Sequence, residues 1–280
     1  MQIVQRIAEL RQQVRCWRAQ QLTVSFVPTM GNLHEGHLAL VKAAREQGER
    51  VVASLFVNPT QFGPDEDYAA YPRSLQADCA RLEALAVDTV FAPSALEIYP
   101  AGIDGHTRVD VPALSGILCG AFRPGHFTGV ATVVAKLLNI VQPDVAVFGR
   151  KDYQQLLVIR AMVADLALPV QVIGVPTVRE PDGLAYSSRN AYLTPSQRAL
   201  APELYRTLTA LADALRAGES NFALLETRGR GALEQAGMRP DYVEIRRGAD
   251  LIEPHPGDTE LVVLAAVWLG NTRLIDNIEL

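Results

Sequence analysis

Residues 22–59 read LTVSFVPTMGNLHEGHLALVKAAREQGERVVASLFVNP. The run from Leu22 to Pro28 is rich in β-branched and aromatic residues and reads as a strand. From His37 to Gly48 the apolar residues recur at helical spacing, and Gly48 stands where a C-cap is wanted. Arg50 to Pro59 is again a buried-strand run. A strand, a helix and a second strand joined by short turns make one βαβ unit of a parallel sheet.

The alternation continues outward from that unit. On the N-terminal side, Ile3, Ile7, Leu10, Val14 and Trp17 lie at helical spacing. Downstream, RSLQADCARLEALA, TGVATVVAKLLNIVQ and DYQQLLVIRAMVADL read as helices, and VDTVFAP, PDVAVFG and PVQVIGVP as strands. The strands are apolar almost throughout, as strands covered on both faces are. The fold class expected is therefore α/β, a Rossmann-like doubly wound parallel sheet with helices on both sides. After about Val178 the pattern changes. SQRALAPELYRTLTALADALRAG and FALLETRGRGALEQAG read as helices, then DYVEIRRG, ELVVLAAVWLG and TRLIDNI as strands. Helices followed by strands suggest a smaller α+β domain, so the expected division is residues 1–178 and 179–280.

The 280 residues are 49% hydrophobic and 20% charged, which suits a buried core, and the net charge of −5 gives no case for nucleic acid. A site for an anion must then be locally positive. Cys16, Cys79 and Cys119 are odd in number, widely spaced and without a CxxC pair, which argues against a disulfide scaffold or zinc knuckle and fits a reducing cytosol. The N-terminus has no apolar core of signal-peptide type, and the longest apolar run, LVVLAAVWLG, is too short to span a bilayer. A soluble cytoplasmic protein is expected, without a membrane partner.

Open sheets of this kind bind ligands beyond the carboxyl ends of their strands. The segments standing there are PTMGN, NPTQF, FGRKD and VPTVRE, each polar and turn-rich. GxxxxGK[ST], GxGxxG and GxSxG are all absent. His34-Glu35-Gly36-His37 opens the helix of the quoted stretch, and imidazoles three residues apart share one side of it. A helix N-terminus offers unpaired N–H groups and the positive end of the dipole, so the pair suits phosphate oxygens. Gly31 and Gly36 let a ligand approach the backbone. A metal pair and a purely structural pair stay open on spacing alone. His106, His126 and His255 stand at no ligand-like spacing from the pair. Tyr186-Ser187-Ser188-Arg189-Asn190 offers two hydroxyls and a guanidinium, good phosphate donors, or else an ordinary polar turn.

Taken together, VPTMGNLHEGH, FVNPTQF, YPR, RPGHFTGVATVVAKLLNIVQPD, FGRKDYQQL and VPTVREPDGLAYSSRNAYL closely resemble the pantothenate synthetase (pantoate–β-alanine ligase) family of the HIGH-motif nucleotidylyltransferases. The resemblance runs from about Val27 to Leu193 and weakly into WLGNTRLIDNI. It implies an ATP-dependent ligase that joins D-pantoate to β-alanine through pantoyl adenylate, with Mg²⁺ carried by ATP and no certain protein ligand for it. It implies a homodimer whose smaller C-terminal domain covers the site. It implies His37, His34 and Lys151 as catalytic groups. Met30, Gly31, Asn32, Leu33, Glu35, Gly36, Gly149, Arg150, Asp152, Val178, Tyr186, Ser187, Ser188 and Arg189 would join them around ATP. Gln61, Gln155, Asn58 and Tyr71 would bind pantoate or β-alanine, with Arg123 and His126 as weaker candidates. Rivals are another transferase with the same histidine motif and a non-catalytic nucleotide-binding regulator. One departure stands out: the family commonly has Gly-Glu-Lys-Asp where this chain has Gly149-Arg150-Lys151-Asp152. If Arg150 continues the strand, its side chain faces away from that of Lys151. Tyr186, where the family often has a smaller or aliphatic residue, is a milder departure.

Overall fold

The computed structural model describes residues 1–64 and 66–280. Its strands are β1 (Gln2–Val4), β2 (Val24–Thr29), β3 (Arg50–Leu55), β4 (Thr89–Phe91), β5 (Val145–Gly149), β6 (Gln171–Val175), β7 (Arg239–Arg247), β8 (Leu261–Leu269) and β9 (Thr272–Glu279). The helices are α1 (Ile7–Ala19), α2 (Glu35–Gln47), α3 (Leu75–Ala84), α4 (Ala95–Ile98), α5 (Pro112–Ser115), α6 (Cys119–Phe122), α7 (His126–Val141), α8 (Tyr153–Asp165), α9 (Pro195–Leu200), α10 (Glu203–Arg216) and α11 (Phe222–Gln235). The chain forms two compact units, Met1–Arg150 with Gln155–Pro176, and Lys151–Gln154 with Thr177–Leu280.

In the first unit six strands form a sheet in the order β1-β4-β3-β2-β5-β6, every pair parallel. Val24, Phe26, Val27, Val51, Val52 and Ala53 are fully buried, which explains the nearly unbroken apolar runs: both faces of β2 and β3 are covered. Leu40, Val41 and Ala44 of α2 pack with Val27, Val51, Ala53, Val145 and Val147 in one cluster. The chain steps from β2 to β3 and β4 on one side, then returns to lay β5 and β6 on the other. That reversal falls between β2 and β5, where an open α/β sheet has its ligand crevice. The turns after Thr29 and Gly149 begin there.

Two local expectations are corrected, and a third, the Gly48 cap, holds with a different geometry. Ile3 lies not in the first helix but in β1, an edge strand, and is exposed. SQRALAPELYRTLTALADALRAG is two helices, α9 and α10, separated near Pro202, whose missing N–H cannot continue the ladder. Gly48 does cap α2, but with an extended φ of −144° rather than a left-handed one. Its requirement is close approach: a Cβ there would lie 2.3 Å from Ser25 Oγ and 2.8 Å from Ser25 N.

In the second unit β7, β8 and β9 form an antiparallel sheet with β8 central. Leu204, Leu208 and Leu211 of α10 and Leu225 and Leu233 of α11 pack with Val243, Val263, Val267 and Leu274. The apolar stripe of each helix thus covers an apolar face of the three-stranded sheet.

Candidate active site

The turn that follows β2 is built around two consecutive left-handed residues, Gly31 (φ 83°) and Asn32 (φ 50°). Glycine takes that conformation freely, and asparagine is among the side chains that tolerate it best. The turn aims two backbone N–H groups at one carboxylate. Asn32 N donates to Asp78 Oδ2 at 2.9 Å and Leu33 N to Oδ1 at 2.8 Å. Ser74 Oγ donates a third bond to Oδ2 at 3.1 Å. From one turn further along α3, Arg81 donates to Leu33 O at 3.1 Å and stands 4.0 Å from Glu35. A Cβ on Gly31 would come within 3.1 Å of Asp78 Oδ2, so the fit is close. Asp78→Ala is expected to cost about 2–3 kcal/mol, because one buried and one partly buried N–H group lose a charged acceptor. If the turn lies by ATP, as the resemblance implies, the same change should also reduce kcat/KM for ATP as the turn loosens. Asp78→Asn, which keeps one acceptor, should lose less of both in paired thermal-melt and kinetic measurements.

Leu33 is buried, which leaves His34 as the N-cap of α2 and His37 at its third position. His34 N donates to His37 Nδ1 at 3.3 Å, and the two ring centroids are 4.1 Å apart with a 37° tilt. With Nδ1 accepting, the neutral ring of His37 carries its proton on Nε2, where it serves as a donor. Both imidazoles therefore stand stacked on the N-terminal turn of a 13-residue helix, at the positive end of its dipole.

The turn after β3, Asn58-Pro59-Thr60-Gln61, is a short 3₁₀ segment with Asn58 as its cap. Gln61 is 9% exposed and Asn58 1%. Gln61 Nε2 donates to Met30 Sδ at 3.0 Å, which joins this turn to the one after β2. α7 presses on the turn at Gly129, where a Cβ would lie 2.3 Å from Thr60 O. His126 Nδ1 bonds Gln61 O at 2.8 Å, Arg123 Nη1 bonds His126 Nε2 at 2.9 Å, and Arg123 Nε donates to Glu66 Oε1 at 2.7 Å. Burial raises the Glu66 carboxyl, but the Arg123 guanidinium outweighs it and holds the acid below its usual range. Arg123 and His126 thus brace the turn from outside. Tyr71 is buried edge-on against Phe62. Gln155 is half-buried in the first turn of α8.

Gly149 ends β5, and Arg150-Lys151-Asp152 forms a 3₁₀ turn rather than further strand. Strand alternation therefore cannot orient Arg150. Its side chain lies against β6 instead, with Nε donating to Gly174 O at 3.0 Å. If ATP is the substrate, as the resemblance implies, Arg150→Glu is expected to change its KM by less than about threefold, the size of a charge change screened at a partly exposed position. A larger change in initial-rate kinetics would place Arg150 at the nucleotide.

In the second unit Lys151 O accepts from Asn277 Nδ2 at 2.8 Å, and Lys151 Nζ stands 3.9 Å from Asp152 Oδ2. A tight turn carries Val178 to Tyr186: Arg179 bridges Ala185, and Tyr186 N donates to Val178 O at 3.1 Å. Arg179 anchors it, with a bidentate bond to buried Asp276 at 2.6 and 2.9 Å and the Tyr205 ring 3.8 Å beneath its guanidinium. Burial pushes the Asp276 carboxyl up, and Arg179 pulls against that shift. Beyond the turn, Ser187 Oγ accepts from Arg189 N at 3.3 Å. Asn190 Nδ2 donates to Glu180 Oε1 and Ala185 O, both at 3.0 Å. Ser187, Ser188 and Arg189 therefore sit on a turn pinned at both ends.

The family model described as pantoate-beta-alanine ligase matches residues 2–279. The chain belongs to the pantoate–β-alanine ligase family. Pantothenate synthetase of Alkalilimnicola ehrlichii is 59% identical over 280 residues, covering 100% of this chain and 98% of the relative. That of Pseudomonas aeruginosa strain UCBPP-PA14 is 57% identical over 279 residues, 100% and 99% of the two chains. A crystal structure of pantothenate synthetase from Thermus thermophilus matches with a TM-score of 0.93 at 50% identity, covering 100% of this chain and 99% of that one. Pantoate-beta-alanine ligase from Francisella tularensis, crystallised with Beta-gamma ATP and Beta-alanine, matches with a TM-score of 0.81 at 36% identity, over 100% and 97% of the chains. The pantoate–β-alanine ligase fold is thus present from end to end. Its histidine pair is the most legible part of the sequence. Asp78, Arg179 and Asp276, which hold the site segments in place, escape a reading of sequence alone because their partners are remote in the chain.

Proposed function

We propose that this pantoate–β-alanine ligase works in two half-reactions. In the first, a pantoate carboxylate oxygen attacks the α-phosphorus of ATP in line. The bond from that phosphorus to the bridging oxygen of the β-phosphate breaks, and pyrophosphate leaves. In the second, the β-alanine nitrogen attacks the acyl carbon, the bond to AMP breaks, and the nitrogen releases a proton. Adenylation is needed because a carboxylate alone would have to expel oxide. No protein nucleophile takes part, so positioning and charge stabilisation carry the rate.

The stacked histidines on the N-terminal turn of α2 carry this reading. His37, held as the Nε2–H tautomer, and His34 would donate to phosphate oxygens as charge moves onto the leaving pyrophosphate. Lys151, Ser187, Ser188 and Arg189 would bind the same triphosphate, the lysine as a point charge and the arginine as a fork. Met30, Gly31, Asn32 and Gly36 would line the nucleotide through backbone, and Gly149, Asp152, Val178 and Tyr186 would contact ribose and adenine. The side chains of Leu33 and Glu35 face the core and Arg81 respectively, so their part would be through backbone. Gln61 and Gln155 would hold pantoate, with Tyr71 behind them. Mg²⁺ would be held by the triphosphate, since Mg²⁺ ordinarily takes few protein ligands beside phosphate oxygens. Among the described residues no group of three or more His, Cys, Asp or Glu could hold a metal.

The reading also takes the enzyme to be a cytoplasmic homodimer; light scattering should then give about twice 30.5 kDa. Among the described residues no helix is long and apolar enough to cross a membrane. The activity is tested by incubating ATP, D-pantoate and β-alanine and separating the products. AMP, pyrophosphate and pantothenate should appear in equal amounts. ADP with inorganic phosphate would contradict an adenylate.

A further inference from the structure

We infer that Asn58 and Tyr99 are positioning residues that fix which end of the Gln61 amide meets the substrate; the inference rests on the pantoate reading above. Asn58 Nδ2 lies 3.2 Å from Gly129 O, a backbone carbonyl that can only accept. The nitrogen of Asn58 must therefore face α7, and its oxygen the other way. That oxygen accepts from Tyr99 Oη at 2.8 Å and from Thr60 Oγ1 at 3.0 Å. The second Nδ2 hydrogen goes to Gln61 Oε1 at 3.2 Å. With its oxygen so held, Gln61 turns its NH₂ outward, to Met30 Sδ at 3.0 Å. A thioether is also only an acceptor, so the chain is consistent at both ends, and a weak one that a substrate oxygen can displace. The site thus presents a donor to a hydroxyl or carboxylate oxygen of the acid, not a carbonyl.

Tyr99 is suited to start the chain. It is 1% exposed, and its ring is held between Phe56 and His106, with centroids 6.4 and 4.9 Å away. Burial keeps its phenol above the usual range, so the hydroxyl keeps its proton at working pH. Asn58, 1% exposed with both ends of its amide engaged within the protein, acts through Gln61.

The test is initial-rate kinetics of Tyr99→Phe and Asn58→Asp, with melting temperatures recorded alongside. Tyr99→Phe removes the shortest bond to the Asn58 oxygen without changing shape. It should raise the KM for pantoate about three- to tenfold, leaving kcat and the KM for ATP within about twofold. Asn58→Asp puts an acceptor opposite Gln61 Oε1, so Gln61 must turn its carbonyl outward. Its KM for pantoate should rise at least tenfold, in the same direction. If Asn58→Asp does not fold, the tyrosine variant decides alone. A drop in melting temperature with unchanged KM for pantoate, or equal rises for pantoate and ATP, would make the chain merely structural and overturn the inference. A wild-type enzyme that does not turn over pantoate would sink the parent reading and this one with it, and is seen before either variant is made.

Discussion

His37→Ala is expected to lose about a hundredfold or more in kcat, the scale on which one preorganised donor to a developing charge acts. The expectation comes from its geometry. The ring is locked by the His34 N–H on Nδ1, so the Nε2–H donor costs no reorganisation when charge shifts to the leaving group. Folding should be nearly unaffected, because His37 is only half-buried and the second turn of α2 keeps its buried Leu40 and Val41. If the ground-state triphosphate is held chiefly by the other donors, KM for ATP should change far less than kcat. Stopped-time assays beside thermal melts check this. A kcat within a few-fold of wild type would return the histidine pair to a helix-capping role.

Arg179→Ala should produce the largest loss of stability, about 3–5 kcal/mol, since it strands a buried carboxylate. Asp276 is nearly inaccessible and takes both its charged bonds from Arg179. Burial already raises its carboxyl, and loss of the guanidinium raises it further. A carboxyl raised in the folded state binds its proton more tightly there than in the unfolded chain, so the folded state loses stability as pH rises through the raised value. The deficit of the variant should therefore be larger at pH 8 than at pH 5. Arg179→Ala combined with Asp276→Asn should recover part of it, because no charge is then buried. The KM for ATP should also rise, as Arg179 anchors the turn that leads to Ser187 and Arg189. Denaturant titrations at the two pH values measure the stability effect, and a deficit independent of pH would show that Asp276 is not the stranded group.

Much of the fold was legible because the sheet is covered on both faces. Strands such as Val145 to Phe148 then carry an unbroken apolar signal that survives without knowledge of their neighbours. The histidine pair was legible for a related reason: both members lie on one helical turn, so their spacing is local. What escaped is non-local. Asp78 looks like a solvent-facing acid of α3, and its partners are backbone N–H groups 45 and 46 residues away. Backbone donors have no letter in a sequence. Tyr99 sits in a Gly/Pro-rich stretch without periodicity, and Asp276 is 97 residues from Arg179. Arg150 shows the limit of local rules, for alternation along a strand does not extend to a residue that begins a 3₁₀ turn.

The measurement that bears most directly on the account is exchange of labelled pyrophosphate into ATP, with D-pantoate present and β-alanine absent. Pantoate-dependent exchange that is abolished by His37→Ala is the predicted result, for it reports the reversible adenylation that the histidine pair is proposed to assist. Folded enzyme that binds ATP and forms pantothenate only with ADP release, and shows no exchange, would contradict the account.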